Sequence, residues 1–330
     1  MIVAPRHNPL MPAPEPMPVH VIAYALWPQT TDTADPHHTA SWQQALRSVE
    51  HQDCMRQLAR AKVQLFTRLP LQSVCSSHEW AYALAAGWPP SSDLLPFAAH
   101  TAQQLRLRCP PDHGWAFIDL VHAQFSQGQM PISLPGKLSE LESDGFMQAM
   151  RPYVEEDGIH LHALSPGRFL AHSSIFKSLP SVSLDHVLQH GAHALAELDP
   201  VATQSPAQRL LRRLQNEMQM LFYTHALNAQ RDIPVNSFWL SGTGELPAHG
   251  SADVTLHTGL RDSFLANDAL AWAGQWVKLA EDTMLPALQQ GHALVLCGPQ
   301  HCLQWLAEKN NWWLALKHRF FTPSLTGRLV

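Results

Sequence analysis

The sequence predicts an α/β protein with a mostly parallel sheet flanked by helices. Three observations lead to this fold class. Helical periodicity alternates with short apolar runs, the clearest helix (205–231) leads into an apolar strand at 235–240, and the C-terminal third repeats strand and helix. Such alternation is typical of strands joined by crossover helices, which bring successive strands into parallel register.

Length and composition predict one large globular unit. The chain has 330 residues, of which 45% are hydrophobic, so it can bury a substantial core. Residues 1–19 are rich in proline, which removes backbone donors, and they are predicted to form an irregular tail. Residues 20–330 are predicted to form a single α/β domain, with a subdivision near 110–200.

Charge and cysteine content exclude several classes of protein. The formal net charge is -5 and charged residues make up only 15%, which argues against a nucleic-acid-binding surface. The five cysteines are widely spaced and form no CxxC pair, as expected for a reducing compartment. No apolar run approaches the roughly 18 residues of a membrane span, and the proline-rich start has no signal-peptide core. We therefore expect a cytoplasmic protein that binds neither membranes nor nucleic acid.

The elements outside the long helix follow from periodicity and turn residues. Apolar runs predict strands at 20–27, 115–122, 254–258 and 293–297, and Ser165-Pro166-Gly167 predicts a turn between paired strands at 160–164 and 168–171. Apolar residues at helical spacing predict helices at 41–69, 77–87, 93–107, 144–153, 267–279 and 300–306, with one short helix within 180–204. The chain would thus end in a β-α-β-α pattern.

The long helix has the clearest boundaries. Ser205 is suited to cap its first turn, and Pro206 is suited to its first position. Its core-facing stripe comprises Leu210, Leu211, Leu214, Met218, Leu221 and Phe222. The strand at 235–240 follows it, and Ser241-Gly242-Thr243-Gly244 predicts a tight turn because glycine tolerates unusual backbone angles.

The segments LQNEMQML (214–221), YTHALN (223–228) and PVNSFWLSGTG (234–244) resemble a known family. They are similar to the RpfE-type proteins of proteobacteria, which are related to cofactor-independent phosphoglycerate mutase and carry LQNE(V/I)QMLxxxHPVNxAR followed by PVNSxWLWGxG. SHEW at 77–80 and GWAFIDLVH at 114–122 extend the resemblance. The chain departs from the family at Ala226, where the family has proline, and at Ser241, where it has tryptophan.

The resemblance implies a fold related to the alkaline-phosphatase and phosphoglycerate mutase enzymes. Those enzymes bind two metal ions through Asp and His, and the first ligand is an Asp directly after the first strand. Here the first strand ends in Ala25-Leu26-Trp27-Pro28, which offers no carboxylate. Asp112-His113 matches a metal-binding pair but precedes a strand instead of following one. We therefore predict no metal and no cofactor, and expect a divalent metal only if the protein is an active mutase.

A ligand site is predicted at the C-terminal end of the strand at 235–240, because ligands of open parallel sheets bind at that edge. The glycine turn could offer backbone N–H groups to a small anionic or phosphorylated ligand. The alternative reading is that the polar residues bond to one another and to the strand. The candidate residues are His122, Glu217, His225, Asn228, Asn236, Ser237, Trp239, Ser241, Gly242 and Gly244.

A second candidate constellation is a set of three histidines. His186, His190 and His193 are spaced to share one helix face, where they would hold a transition metal or simply form a solvated surface.

Three functions follow from this sequence. The leading hypothesis is a catalytically degenerate RpfE-type protein with a regulatory or small-ligand-binding role. The first alternative is an active mutase-type phosphoryl-transfer enzyme that uses His225, Asn228, Asn236 and the Asp112-His113 pair, which would then have to converge. The second alternative is a partner-binding scaffold with a large exposed apolar patch.

Overall fold

Two five-stranded sheets with helices packed on them make up the described part of the protein. The computed structural model describes residues 17–26, 36–50, 52–89, 91, 93–124, 131–190, 205–247 and 253–307. The N-terminal half contains β1 (Val19–Ile22), α1 (Pro36–Glu50), α2 (Asp53–Leu58), β2 (Lys62–Arg68), α3 (Ser77–Ala85), α4 (Phe97–Gln104), β3 (Gly114–Ala123), β4 (Ile132–Ser133) and α5 (Glu140–Glu156).

The remaining elements follow in the same order. They are β5 (His160–Ser165), β6 (Arg168–Ser173), α6 (Leu184–His190), α7 (Pro206–Tyr223), β7 (Ser237–Gly244), β8 (Val254–His257), α8 (Arg261–Leu265), α9 (Ala269–Leu279), α10 (Leu285–Gln289), β9 (Ala293–Cys297) and β10 (His301–Leu306). Single 3₁₀ turns occupy Ser174–Phe176 and Ala226–Asn228, and a π-helical turn at Ala280–Met284 joins α9 to α10. None of the described helices combines the length and the hydropathy that crossing a bilayer requires.

The first sheet is mixed in direction. Its strand order is β2-β10-β9-β1-β8, in which β1 runs parallel to both β8 and β9, whereas β10 is antiparallel to β9 and β2. Strands β9 and β10 are joined by a tight hairpin closed by a bond from the Gly298 N–H to the His301 carbonyl, and such a short loop permits only antiparallel pairing. The predicted mostly parallel sheet is therefore correct only for β8, β1 and β9.

The second sheet is antiparallel throughout. Strand β3 pairs with β6 and β7 along its length and with β4 at its end, and β5 pairs with β6 through the predicted hairpin. Helices α5 and α7 cover one face, where Phe146, Phe169 and Phe222 are fully buried. Helix α4 packs on the other face against Trp115 and Phe117.

The start of α7 confirms its predicted cap, and the start of α3 shows the same kind of capping box. Helix α3 begins after Ser76, whose backbone N–H donates to the Glu79 carboxylate at 2.9 Å. Helix α7 begins after Ser205, whose hydroxyl accepts from the Gln208 N–H at 3.2 Å, with Pro206 at its first position. The predicted stripe on α7 faces the core, because Leu214, Met218 and Phe222 are fully buried.

Two segments predicted as helix are strands. Residues 62–68, predicted as part of a helix over 41–69, form β2, and residues 301–306 form β10. These two segments pair with each other, Trp305 opposite Val63 and Gln304 opposite Gln64. This pairing joins residues about 240 positions apart. The periodicity of a short segment carries no information about so distant a partner.

Strand β7 differs from its prediction in length and direction. It runs from Ser237 to Gly244, so the Ser241–Gly244 segment is strand and not a turn. The register of β7 against β3 shifts between Trp115 and Phe117, which marks a bulge. Gly242 lies opposite this region with φ +65°, a left-handed conformation that favours glycine.

Replacing Gly242 by alanine is expected to destabilise the protein by about 2–3 kcal/mol. An added Cβ would stand 2.8 Å from the Phe117 ring, and the positive φ would strain the backbone. Gly274→Ala is the matched control, because Gly274 lies inside α9 with nothing within 4 Å of a Cβ, and alanine there should stabilise by roughly 0.5–1 kcal/mol. Urea unfolding of both variants measures the difference, and equal effects would contradict the bulge argument.

Candidate functional site at the carboxyl ends of the parallel strands

The carboxyl ends of β8, β1 and β9 carry a buried polar network. Tyr24 follows β1, and Arg261 follows β8. Helix α3 carries His78 and helix α6 carries Asp185, and the Asp185 carboxylate contacts Tyr24, Arg261 and His78. The side chains of Tyr24, His78 and Asp185 are all buried. In open α/β sheets this edge is where ligands commonly bind, so we regard the network as the candidate site.

Asp185 is the centre of the network. Its Oδ2 accepts a hydrogen bond from the Tyr24 hydroxyl at 2.7 Å, and its Oδ1 accepts from the Arg261 Nε at 2.7 Å, with a second guanidinium nitrogen also in contact. Gln189 donates to the Tyr24 hydroxyl at 2.9 Å. Each oxygen of the carboxylate is therefore engaged, one by a cation and one by a phenol.

The electrostatics of the network follow from burial and pairing. Burial by itself would raise the pKa of Asp185, but the charge and hydrogen bond of Arg261, aided by His78 and Tyr24, lower that pKa below its ordinary value. Burial and the charge of Asp185 raise the pKa of Tyr24 well above its ordinary value. Burial disfavours the charged guanidinium, yet Asp185 raises the pKa of Arg261. At neutral pH the network thus holds an ion pair and a neutral phenol.

The backbone after β1 holds Tyr24 in a left-handed conformation, and its carbonyls are bonded by α9. Tyr24 has φ 58°, a conformation that is strained for a residue with a side chain. The indole N–H of Trp272 donates to the Tyr24 carbonyl at 2.9 Å, and that of Trp276 donates to the Ala25 carbonyl at 3.0 Å. Both tryptophans are fully buried on α9. Helix α9 therefore satisfies the carbonyls that would otherwise be buried without partners.

His78 and Ser76 do not form a catalytic triad with Asp185. The Nε2 of His78 lies 3.3 Å from the Ser76 hydroxyl and 3.6 Å from the Asp185 carboxylate. A Ser-His-Asp triad uses opposite ring nitrogens for the nucleophile and the carboxylate, whereas here both approach the same nitrogen. The Ser76 hydroxyl also donates to Glu79 at 2.7 Å, so it serves the helix terminus.

Asp119 brings a second buried carboxylate toward this network from the antiparallel sheet. It lies opposite Arg168 in the β3–β6 pairing, 3.4 Å from its Nε, and its Oδ2 has no hydrogen-bond partner among the described residues. Burial raises the pKa of Asp119, while the charges of Arg168 and Arg261 oppose that rise and Asp185 adds to it. The two sheets therefore place their buried charges within electrostatic reach of each other.

The residues predicted from the strand at 235–240 lie elsewhere, around β7 and the end of α7. A ligand was predicted there because ligands bind at the carboxyl edge of parallel sheets. Strand β7 is instead antiparallel to β3, so this reason does not apply. Ser237, Trp239, Ser241 and Gly244 lie within this strand, and the Trp239 indole donates to the Val182 carbonyl at 2.9 Å. Ligand binding by these residues stays a prediction, and the direction of the strand does not support it.

The two asparagines of this group serve the backbone. Asn228 donates to the carbonyls of Phe222 and Val235 at 2.7 Å and accepts from the Val235 N–H at 2.9 Å. Asn236 bonds both the N–H and the carbonyl of Ala123, at 2.7 and 2.8 Å. This arrangement corresponds to the alternative in which polar groups satisfy one another and the strand.

The other predicted residues have local partners as well. His122 Nδ1 lies 2.8 Å from the Pro234 carbonyl, and the His225 ring packs on Phe146 with Nδ1 accepting from the Leu227 N–H at 3.3 Å. Glu217 is half-buried on α7, 3.5 Å from the guanidinium of Arg213. Gly242 packs close to the Phe117 ring.

The residues required by the active-mutase alternative do not converge. His225, Asn228 and Asn236 lie near the C-terminal end of β3, whereas Asp112 and His113 precede its start. Nine residues of extended strand separate the two ends by roughly 30 Å. Within the described ranges, no group of three or more His, Cys, Asp or Glu residues is arranged to hold a metal ion. Of the three spaced histidines, His186 lies on α6, His193 is outside the described residues, and only the backbone of His190 is described.

Sequence reasoning missed Tyr24, Asp185 and Arg261, and noted His78 only within the resemblance. They come from four distant segments, so no spacing motif connects them. The signal that the sequence did offer was position along the chain. Tyr24 follows the first strand, where the resembled enzymes have a metal-binding Asp, and Arg261 follows another parallel strand.

Comparisons with known proteins give low-identity structural similarity. No protein-family model matches the chain, and no curated protein matches it. The PH0037 protein from Pyrococcus horikoshii is 10% identical, with a TM-score of 0.45 over 88% of this chain and 87% of that chain. The cofactor-independent phosphoglycerate mutase from Thermoplasma acidophilum DSM 1728 is 10% identical, with a TM-score of 0.32 over 88% of this chain and 89% of that chain. The chain's own strand order makes it a mixed α/β protein, and its similarity to a phosphoglycerate mutase-like fold is at low identity.

Proposed function

We propose that this chain is an RpfE-type, phosphoglycerate mutase-like protein that is catalytically degenerate and binds a small anionic or phosphorylated ligand in a regulatory role. The observation that supports it is the state of Asp185. This buried carboxylate at the carboxyl edge of the parallel strands is already committed to Arg261 and Tyr24. The proposal includes no cofactor.

The chemistry of the edge supports a binding role over metal-assisted phosphoryl transfer. A divalent metal needs several carboxylate or imidazole ligands with available lone pairs. At this edge a phenol follows β1, and taking Asp185 as a ligand would break its ion pair with Arg261. Arg261 supplies positive charge, its side chain is partly exposed, and its guanidinium also reaches the exposed Asp262. An anion that displaces the Asp262 contact would gain that donor without disturbing Asp185.

Calorimetric titration with 3-phosphoglycerate and with inorganic phosphate, each with and without Mn²⁺, tests the proposal. We expect stoichiometric binding of at least one of these anions independent of Mn²⁺, and no mutase turnover. Arg261→Lys should weaken binding by about tenfold, because lysine keeps the charge but cannot donate to Asp185 and to the anion in the fixed geometry of a guanidinium. Arg231→Lys is the control, because Arg231 bonds Glu142 and the Pro135 carbonyl away from this edge.

Two results would contradict the proposal. Stoichiometric Mn²⁺ or Zn²⁺ binding with turnover of the phosphate ester would favour the active enzyme. Failure to bind either anion would favour the partner-binding scaffold.

A further inference from the structure

Four histidines meet on the antiparallel sheet, away from the candidate site. This histidine cluster consists of His113, which precedes β3, His160 and His162 on β5, and His172 on β6. The Nδ1 atoms of His113 and His172 are 3.0 Å apart. The His172 ring centroid lies 4.9 Å from that of His160 and 5.3 Å from that of His162. His172 thus contacts the other three rings.

The cluster is held against an aromatic wall. The Trp115 ring lies 5.6 Å from the His162 ring and 5.2 Å from the His172 ring. The His162 Nε2 is buried and has no hydrogen-bond partner among the described residues. A neutral imidazole tolerates such surroundings, whereas an imidazolium would bury a charged N–H without an acceptor.

The neighbouring charges oppose protonation. Burial, followed by the charges of His160, His162 and His113, lowers the pKa of His172 to about 4. Burial lowers the pKa of His162 as well, and Arg151 on α5 and His160 add to that effect. Each proton that enters the cluster therefore makes the next one less favourable.

The other elements beside the cluster also carry charged and titratable groups. Arg151 pairs with Glu155 on its own helix at 3.1 Å. Lys177, which follows β6 and lies against Gly114, pairs with Glu245 at 3.0 Å. Cys109 and Asp112 lie in the segment before β3, where burial and the charge of Asp112 raise the pKa of the Cys109 thiol.

We propose that the histidine cluster is an acid-sensitive switch that loosens the β5–β6 hairpin from β3 as the pH falls below about 6.5. Protonation of two or more rings places like charges about 5 Å apart across the β3–β6 and β5–β6 pairings. The same β3–β6 pairing joins Asp119 to Arg168, so its loosening would disturb the buried carboxylate that faces the Arg261 network. The switch would thereby connect acid pH to the candidate site.

The sign of the effect follows from linkage. The folded protein holds His172 with a lowered pKa, so between about pH 6.5 and pH 4 the unfolded or locally opened state binds more protons. The stability contributed by the neutral ring is complete above about pH 6.5 and is lost progressively as the pH falls through that range. The opening is thus favoured by acid.

Hydrogen exchange measured by mass spectrometry on the full chain, at pH 7.5 and 5.5 and corrected for the intrinsic rate, tests this proposal. We expect peptides covering 160–173 to open about tenfold more at pH 5.5, with a smaller change in α9. Site-resolved exchange is needed because a separate group of three histidines would also contribute to a global melting curve. In this group the ring nitrogens of His20 lie 3.0 Å from His257 and 3.1 Å from His292.

Two variants make the result specific. His172→Gln should remove most of the acid response in 160–173. His160→Gln, at an exposed position on β5, should reduce that response. His301→Gln is the control, because this half-buried histidine lies on β10 of the other sheet. An unchanged acid response in both cluster variants, or a response in 160–173 equal to that in α9, would overturn the proposal.

Discussion

Asp185→Asn is expected to lower the free energy of unfolding by about 3–5 kcal/mol at pH 7, because it leaves the Arg261 charge without its buried partner. The substitution keeps the shape of the side chain, so packing changes little. It removes the charge that faces the Arg261 guanidinium and weakens the bond from the Tyr24 hydroxyl. Urea unfolding of the full chain measures the loss.

Asp262→Asn is the matched control for this variant. Asp262 also contacts Arg261, at 3.2 Å, but its side chain is 91% exposed, so its loss should change stability by less than about 0.5 kcal/mol. If Asp185→Asn cost no more than this control, the buried ion pair would not stabilise the site.

The pH dependence of Asp185→Asn provides an independent check. Because the pKa of Asp185 is lowered in the folded protein, its stabilisation is complete above about pH 4 and is lost as the pH falls through the folded value. The difference between wild type and variant should therefore shrink in acid. A constant difference between pH 7 and pH 2 would contradict this assignment.

Trp272→Ala is expected to cost about 3–5 kcal/mol, since it empties a fully buried site and removes the donor to the Tyr24 carbonyl. Trp272→Phe separates these two effects. It retains much of the ring volume but lacks the indole N–H, and should cost about 1–3 kcal/mol.

Leu270→Ala on the same helix is the control, because Leu270 is 70% exposed, and we expect a change below about 0.5 kcal/mol. Thermal or urea unfolding ranks the three variants. A Trp272→Phe protein as stable as wild type would show that the strained backbone at Tyr24 does not depend on this hydrogen bond.

The candidate site illustrates why sequence reasoning placed function elsewhere. The conspicuous polar residues, such as Asn228 and Asn236, bond to nearby backbone groups, and they stand out because they interrupt apolar segments. No motif or spacing in the sequence marks Asp185 or Arg261 as site residues. They meet only because two sheets bring residues 24, 78, 185 and 261 together.

The sequence by itself determined the features that depend on neighbouring residues. The cap at Ser205, the apolar stripe of α7, the buried strand β3 and the turn between β5 and β6 were all predicted, because their interactions span only a few residues.

Only the tertiary structure decided strand direction and the identity of β2 and β10. Strand β2 forms by pairing with β10, more than 200 residues away, and β10 pairs with β2 as well as with its neighbour β9. Strand β7 runs antiparallel to β3. Such partners contribute hydrogen bonds and burial that outweigh local propensity, and their positions are set by the whole fold. The same long-range packing joined Asp185 to Arg261 and gathered the histidine cluster from β5, β6 and the segment before β3.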